Sequence, residues 1–303
     1  MLPRLYSRWH AFVLGCALLA AARGESLKIC TYNLENYGLA DRMTVDGFRP
    51  NYPKPENQKA AVQQAIRAIN PDVVVMQEMG PPPFLEELRR DLHAVGADYP
   101  FKAIALAADA ERHVALLSKR PLLATETLDL KFSYFGGVER VKRGVLLARI
   151  ATPGGDVTIF AVHLKSRLTE RRDDPEARIR RAAEATAVRD AILQRFPDPA
   201  SARFIVLGDF NDSKASQAVH RFEHRGATAI ASLLPVADSK GESWTYHYAR
   251  TDAFERIDHV FVSAPLLPAV SHGTATIYDG DGTTVASDHR PVVVTFDFGG
   301  AKP

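Results

Sequence analysis

Eight apolar runs of strand length punctuate the chain, and each breaks off abruptly in polar residues. They occupy 27–32, 72–76, 113–117, 145–150, 157–162, 204–207, 257–262 and 292–296. Most are near-continuous rather than alternating, as in Val73-Val74-Val75, which predicts strands covered on both faces. Helical spacing fills several of the gaps. Over 58–69 it puts Ala61, Ala65, Ile66 and Ile69 on one face, and Pro71 stops the helix. Phe84, Leu85, Leu88 and Leu92 mark a short helix after Pro81-Pro82-Pro83. The segment 177–196 reads as the longest helix, with Ile179, Ala183, Val188, Ile192 and Leu193 on its buried side.

The two halves follow a similar order: strand, helix, strand, helix, consecutive strands, then a long helix and more strands. Strand pairs without an intervening helix predict mixed rather than purely parallel sheets. The expected fold is therefore α/β, a four-layer α/β sandwich of two packed mixed sheets flanked by helices. The polar stretches 36–57, 225–243 and 278–287 read as loops that rim a cleft. Nothing resembling a linker divides residues 25–303, which are expected to form one domain.

Residues 1–24 read as a secretory signal peptide rather than part of the fold. Arg4 and Arg8 precede the apolar stretch 11–22, and Ala22-Arg23-Gly24 is a small-residue cleavage site. The stretch is too short for a permanent membrane span. A lipid anchor on Cys16 would leave only 11–15 as apolar core, so export to the periplasm or the medium is the expectation. Without the leader, 35 basic face 36 acidic side chains, a formal charge of −1. That balance argues against tight, non-specific nucleic-acid binding. Cys30 is the sole cysteine beyond the leader, so stability must come from the core.

The polar ends of the runs carry the candidate chemistry. In order they are Asn33-Leu34-Glu35-Asn36, Gln77-Glu78, His163-Leu164-Lys165-Ser166, Gly208-Asp209-Phe210-Asn211, Arg256-Ile257-Asp258-His259 and Ser287-Asp288-His289-Arg290-Pro291. Strand ends sharing one rim are where α/β proteins commonly place a site. Carboxylate and amide oxygens without a cysteine cluster suit a hard cation, Mg²⁺ before Mn²⁺ or Ca²⁺. An ionised Asp288 beside His289 would keep that imidazole protonated enough to meet a phosphate.

The strings YNLEN, QE, HLKS, GDFN, RIDH and SDHRP, in this order over 27–298, resemble the endonuclease/exonuclease/phosphatase superfamily. That group includes pancreatic-type deoxyribonucleases, abasic-site endonucleases, neutral sphingomyelinases and inositol-polyphosphate 5-phosphatases. The resemblance implies Glu78 as the principal metal carboxylate, with Asn33 and Glu35 beside it. It implies Asp209 and Asn211 as the pair that orients the attacking water and the phosphoryl oxygen. His163 would contact the phosphate with Asp258 as its support, and Asp288-His289 would close the site, with Asp288 also near the metal. Asp209 is favoured as the base and His289 as the transition-state stabiliser, although the residue types also allow the reverse.

Each residue also has a plainer use. Asn33 and Asn211 suit turns after strands, Glu78 suits the start of the Pro-rich helix, and lone histidines are often structural. An aspartate inside an apolar strand, as at Asp258, needs a partner whatever its role. His259, on the opposite face by alternation, reads as structural. The arginines 167, 171, 172, 178, 180 and 181 interleave with acidic residues and read as a solvated, ion-paired helix start. Trp244, Tyr246 and Tyr248 alternate as in a half-buried strand, with a base-stacking platform as the alternative.

The expected activity is that of an exported, metal-dependent phosphoesterase that hydrolyses phosphodiesters, with DNA or RNA as the leading substrate. A sphingomyelinase-like or inositol/small phosphoester hydrolase is the alternative, for which an apolar 36–57 loop with Tyr37, Phe48 and Tyr52 would speak. A non-catalytic binding module on the same scaffold is the alternative of another class. No obligate protein partner is expected.

Overall fold

The computed structural model describes residues 25–299. The leader and Cys16 lie outside the described residues. Thirteen strands build two mixed sheets. In chain order they are β1 (Ser26–Tyr37), β2 (Val73–Met79), β3 (Phe101–Ile104), β4 (His113–Ser118), β5 (Ala124–Leu128), β6 (Val145–Ile150) and β7 (Val157–His163). There follow β8 (Phe204–Asp209), β9 (Ser232–Leu233), β10 (Val236–Ala237), β11 (Asp258–Val262), β12 (Ala275–Ile277) and β13 (Val292–Asp297). The first sheet has the order β10-β12-β13-β1-β2-β4-β3 and the second β9-β11-β8-β7-β6-β5.

Each sheet has one parallel pair at its centre, β1 with β2 and β7 with β8, bordered by antiparallel partners. A helix makes each parallel crossover: α1 (Glu56–Ile69) between β1 and β2, and α3 (Arg178–Arg195) between β7 and β8. The near-continuous apolar runs have the reason expected of them. Leu27, Ile29, Val73 and Val75 face Ile159, Ala161, Ile205 and Leu207 in a core between the sheets. On the opposite face of the first sheet, Cys30, Tyr32, Val74 and Met76 pack under α1 and α2 (Pro82–Ala94). Phe160, Val162, Phe204 and Val206 pack under α3 and the one-turn α4 (Gln217–His220). Period-two alternation thus feeds two cores from every central strand.

The helices start and stop on local chemistry. Asn70 takes a left-handed φ of 50° after α1, Pro71 follows, and α2 opens on a proline at its first turn. Before α3 the buried Asp174 carboxylate accepts from the N–H groups of Ile179 and Arg180 at 2.8 and 3.0 Å, so it caps a helix that lacks an ordinary N-cap. The buried face of α3 keeps Val188 and Ile192 of the expected set, and Ala183 and Leu193 are half-buried, but its first turn differs. Arg181, Ala182, Ala185, Val188 and Ile192 face inward, while Ile179 is exposed. The Arg181 guanidinium is drawn inside by Asp212 at 2.9 Å and by the carbonyls of Lys165 and Glu176 at 3.0 Å.

The three stretches expected as loops carry short elements. Residues 39–53 form an antiparallel hairpin, Leu39–Thr44 with Gly47–Pro53. The stretch 225–243 includes β9 and β10, and 278–287 holds the one-turn α5 (Thr283–Ala286). These pieces are too short or too exposed to leave an apolar signature. Gly208 has a sharper requirement. Its φ is +144°, and a Cβ there would stand 2.0 Å from the Val162 carbonyl oxygen, so only glycine lets β8 lie against the end of β7.

Candidate active site

The topology explains why the polar clusters follow some strands and precede others. β1, β2, β7 and β8 present their C-terminal ends with Asn33 and Glu35, Glu78, His163 and Asp209. β13 runs antiparallel to β1, and β11 to β8, so these two present their starts: Asp288-His289 and Asp258. All the expected residues therefore meet on one rim, across both sheets.

Asp209 sits at the centre and is buried. Its Oδ2 accepts from Asn33 Nδ2 and Asn211 Nδ2, each at 3.0 Å, while Oδ1 accepts from the Asn211 backbone N–H at 2.7 Å. Asn211 also donates to the Leu164 carbonyl at 3.1 Å and holds φ at 53°, a conformation that side chains seldom adopt. His163 Nε2 lies 3.5 Å from Asp209 Oδ2 and 3.9 Å from Glu78 Oε1. Burial pushes the Asp209 carboxyl up, against the pull of the His289 charge. Burial, then the charges of Arg143 and His289, hold His163 far below the usual imidazole range, so the ring is neutral.

Asp258 does not support His163. Its Oδ2 meets His289 Nδ1 at 2.8 Å, and His289 Nε2 then points towards Asp209 Oδ2, 3.9 Å away. Nor is Asp288 the main residue that charges His289. Neighbours in an extended chain point to opposite faces, and the Asp288 carboxylate stays 4.0 Å from Nε2. Burial opposes charge on His289, but Asp258 foremost, then Asp209 and Asp288, outweigh it and keep the imidazole protonated above its usual range.

Asp288 belongs to a second group with Glu35 and Glu78. Burial pushes its carboxyl up to about 6; the His289 charge opposes the rise, and the Glu35 and Glu78 carboxylates add to it. Glu78 takes φ 58° and accepts from the Asn36 N–H at 2.9 Å, and Glu35 takes φ 48° with its N–H on Asn33 Oδ1 at 3.0 Å. Backbone strain gathered at one rim is typical of a working site.

Residues 30–289 match the family model of the Endonuclease/Exonuclease/phosphatase family. The chain belongs to that family. This endonuclease/exonuclease/phosphatase domain shares its fold with solved structures of low identity. An endonuclease/exonuclease/phosphatase family protein from Leptotrichia buccalis C-1013-b is 16% identical, with TM-score 0.63, over 90% of this chain and 100% of that one. The human nocturnin catalytic domain is 16% identical, with TM-score 0.61, over 90% and 95%. Sphingomyelinase C from Streptomyces griseocarneus is 17% identical, with TM-score 0.59, over 90% and 100%. The chain has no match among curated protein sequences.

Members of the family are typically dependent on a divalent metal, and the residues present fit one. Glu35, Glu78 and Asp288 are hard oxygen donors, and the first two add to the rise in the proton affinity of Asp288, which a cation would relieve. Asp209, Asp258 and His289 also cluster, with ligand atoms within 4.8 Å. That trio spends His289 Nδ1 on Asp258, and Glu78, Glu35 and Asp288 are the other carboxylates at the rim that would hold a cation.

Several supporting residues carried no sequence signal of their role. Ser287 Oγ donates to the Asn33 carbonyl at 2.8 Å and accepts from the His289 N–H at 3.0 Å, which ties the closing turn to β1. Thr245 Oγ1 accepts from the N–H groups of Ile257 and Asp258, both at 3.1 Å. His259 is structural as expected: it is buried against Phe210 with Nε2 on the Asp212 carbonyl at 2.9 Å. Arg171 and Arg178 form the expected surface ion pairs. Trp244 lies under the Arg290 guanidinium, Tyr246 packs beside the His289 ring with centroids 4.8 Å apart, and Tyr248 is exposed, so the three do not form a core strand.

Proposed function

We propose that this protein is an exported, Mg²⁺-dependent phosphodiesterase that acts on nucleic acid. The observation carrying the reading is the chain of contacts from Asp258 through His289 to Asp209, with His163 beside the same carboxylate oxygen. Phosphodiester hydrolysis needs an aligned water, neutralised non-bridging oxygens and help for the leaving oxygen. Asp209, raised by burial towards the working pH, takes the proton of the water, and Asn33 and Asn211 fix its orientation. His289, charged by Asp258, presents Nε2–H to the oxygens that gain charge. Neutral His163 offers a second N–H from Nε2. Glu78, Glu35, Asp288 and Asn33 would hold the metal, which when bound would supply Lewis acidity and a template for the phosphate.

A cavity of about 950 Å³ opens beside Glu35 and is lined by Arg42 and Arg49, and another of about 510 Å³ borders Asp212 and Arg167. Arg42 donates to the backbone carbonyls of Tyr52 and Asn36. Acidic side chains line both openings with the arginines, Asp41, Asp46 and Glu56 in the first and Glu176 and Glu255 in the second, and it is the open shape that suits a polymer better than a small closed ligand. The basic-then-apolar leader supports export.

The hairpin at 39–53 favours a second reading, a sphingomyelinase-like activity at a lipid surface. Its Met43, Val45 and Phe48 are well exposed, although Tyr37, expected to join them, is buried. The test is a panel of plasmid DNA, RNA, sphingomyelin vesicles and inositol phosphates with Mg²⁺, then with chelator. Cleavage of DNA or RNA that stops in chelator and in Asp209→Asn supports the first reading. Turnover of sphingomyelin alone favours the second, and undiminished cleavage in chelator rules out the metal.

A further inference from the structure

Lys54 lies between Pro53 and Pro55, where the exposed hairpin passes into α1, yet its side chain is fully buried. A buried ammonium is costly unless paired. Among the described residues its Nζ contacts belong to Glu35 alone: the backbone carbonyl at 3.2 Å and carboxylate Oε2 at 3.7 Å. The Lys54 backbone N–H donates to the Gly38 carbonyl at 3.1 Å, so the segment is stitched to the chain just beyond β1.

Glu35 and Asn36 are consecutive residues in the left-handed region, with φ of 48° and 55°. That curl takes Glu35 out of strand alternation and turns it towards Asp288 and Glu78. Asn33 holds the Glu35 N–H and Glu78 holds the Asn36 N–H. Neither contact restrains the Glu35 carbonyl or carboxylate, and Lys54 restrains both. We infer that Lys54 is a positioning residue for the cation site, a buried cation that locks Glu35 into a ligating pose. The inference rests on the metal-dependent reading above.

Two effects oppose one another here, and they differ in sign. A bystander ammonium beside a ligand repels an arriving cation, so its removal would tighten binding. A positioning ammonium organises the ligand, so its removal loosens binding, by about 10- to 100-fold for residues that orient metal ligands. The hydrogen bond to the Glu35 carbonyl, which acts on the backbone, favours the second effect.

The test is Mn²⁺ binding to the full chain by electron paramagnetic resonance, for wild type, Lys54→Met, Glu35→Gln and the double variant. Lys54→Met is expected to weaken Mn²⁺ at least about 10-fold, and to add no further loss to Glu35→Gln, because the two act as a unit. Equal or tighter binding by Lys54→Met, or a loss that adds to that of Glu35→Gln, overturns the inference. If Lys54→Met does not fold, Lys54→Ala, which likewise removes the donor to the carbonyl, replaces it under the same criteria. Wild type that binds no Mn²⁺ overturns the metal reading itself, and the inference with it.

Discussion

Asp258 Oδ2 and His289 Nδ1 stand 2.8 Å apart, although Asp258 begins a strand of one sheet and His289 leads into a strand of the other. The contact closes the two sheets over the site and fixes which imidazole nitrogen faces Asp209. It also makes the charge of His289 a property of the tertiary structure, since the carboxylate responsible lies 31 residues away.

Asp258→Asn keeps the shape of this pair and removes its charge. Hydrolysis of bis-p-nitrophenyl phosphate is expected to fall about 100-fold, the scale of a general acid–base contribution. His289 is held above its usual pKa chiefly by Asp258, so wild type keeps the protonated ring into alkaline solution. In the variant the ring deprotonates at lower pH, and the alkaline limb of the pH–rate profile should move down. An unchanged limb would show that His289 does not act as the cation.

Glu78→Gln should uncouple stability from metal. A ligand at 100 times its Kd stabilises the folded state by about 2.7 kcal/mol, which for a domain of this size is a rise of several degrees in Tm. Scanning calorimetry with Mg²⁺ and with chelator should show that rise in wild type and little of it in the variant. Equal shifts would place the cation elsewhere.

Gly208→Ala tests the close approach of β7 and β8. The new Cβ would overlap the Val162 carbonyl, and φ +144° is closed to side chains. A loss of about 3 kcal/mol or more, or failure to fold, is expected from urea unfolding. A stable variant would mean that the two strands part easily at the site.

His259 should contribute acid sensitivity. Burial first, and the Arg256 charge next, lower it to about 3, so the folded state holds it neutral. A histidine depressed by folding gives stability that is complete above its unfolded pKa near 6.5 and is lost as pH falls below that value. Between pH 7.5 and 5.5 this one group costs wild type about 1.4 kcal/mol. Urea unfolding of His259→Gln at both pH values should show a pH dependence shallower by that amount.

Much of the fold was readable because the central strands are buried on both faces. Runs such as Val73-Val74-Val75 have no polar alternation to confuse them with surface elements, and Pro71 and Pro82 punctuate the helices beside them. The exposed hairpin at 39–53, β9 and β10 were not readable. They are held by backbone hydrogen bonds and leave little apolar pattern. The first turn of α3 was misread, with Ile179 exposed and Arg181 buried, because Arg181 looks like a surface residue until Asp212 is brought beside it.

By itself the sequence determined the mixed α/β class, the family and the residue types at the rim, because periodicity and strand-end polarity are local properties of the chain. Which residues act on which was decided only by tertiary structure. Adjacency along the chain suggested Asp288 as the residue that charges His289, and the family resemblance suggested Asp258 as the support of His163. In an extended chain neighbouring side chains diverge, and partners come instead from strands of the other sheet. The pairing of Asp258 with His289, of Asn33 with Asp209 and of Lys54 with Glu35 therefore had to await the packing that brings them together.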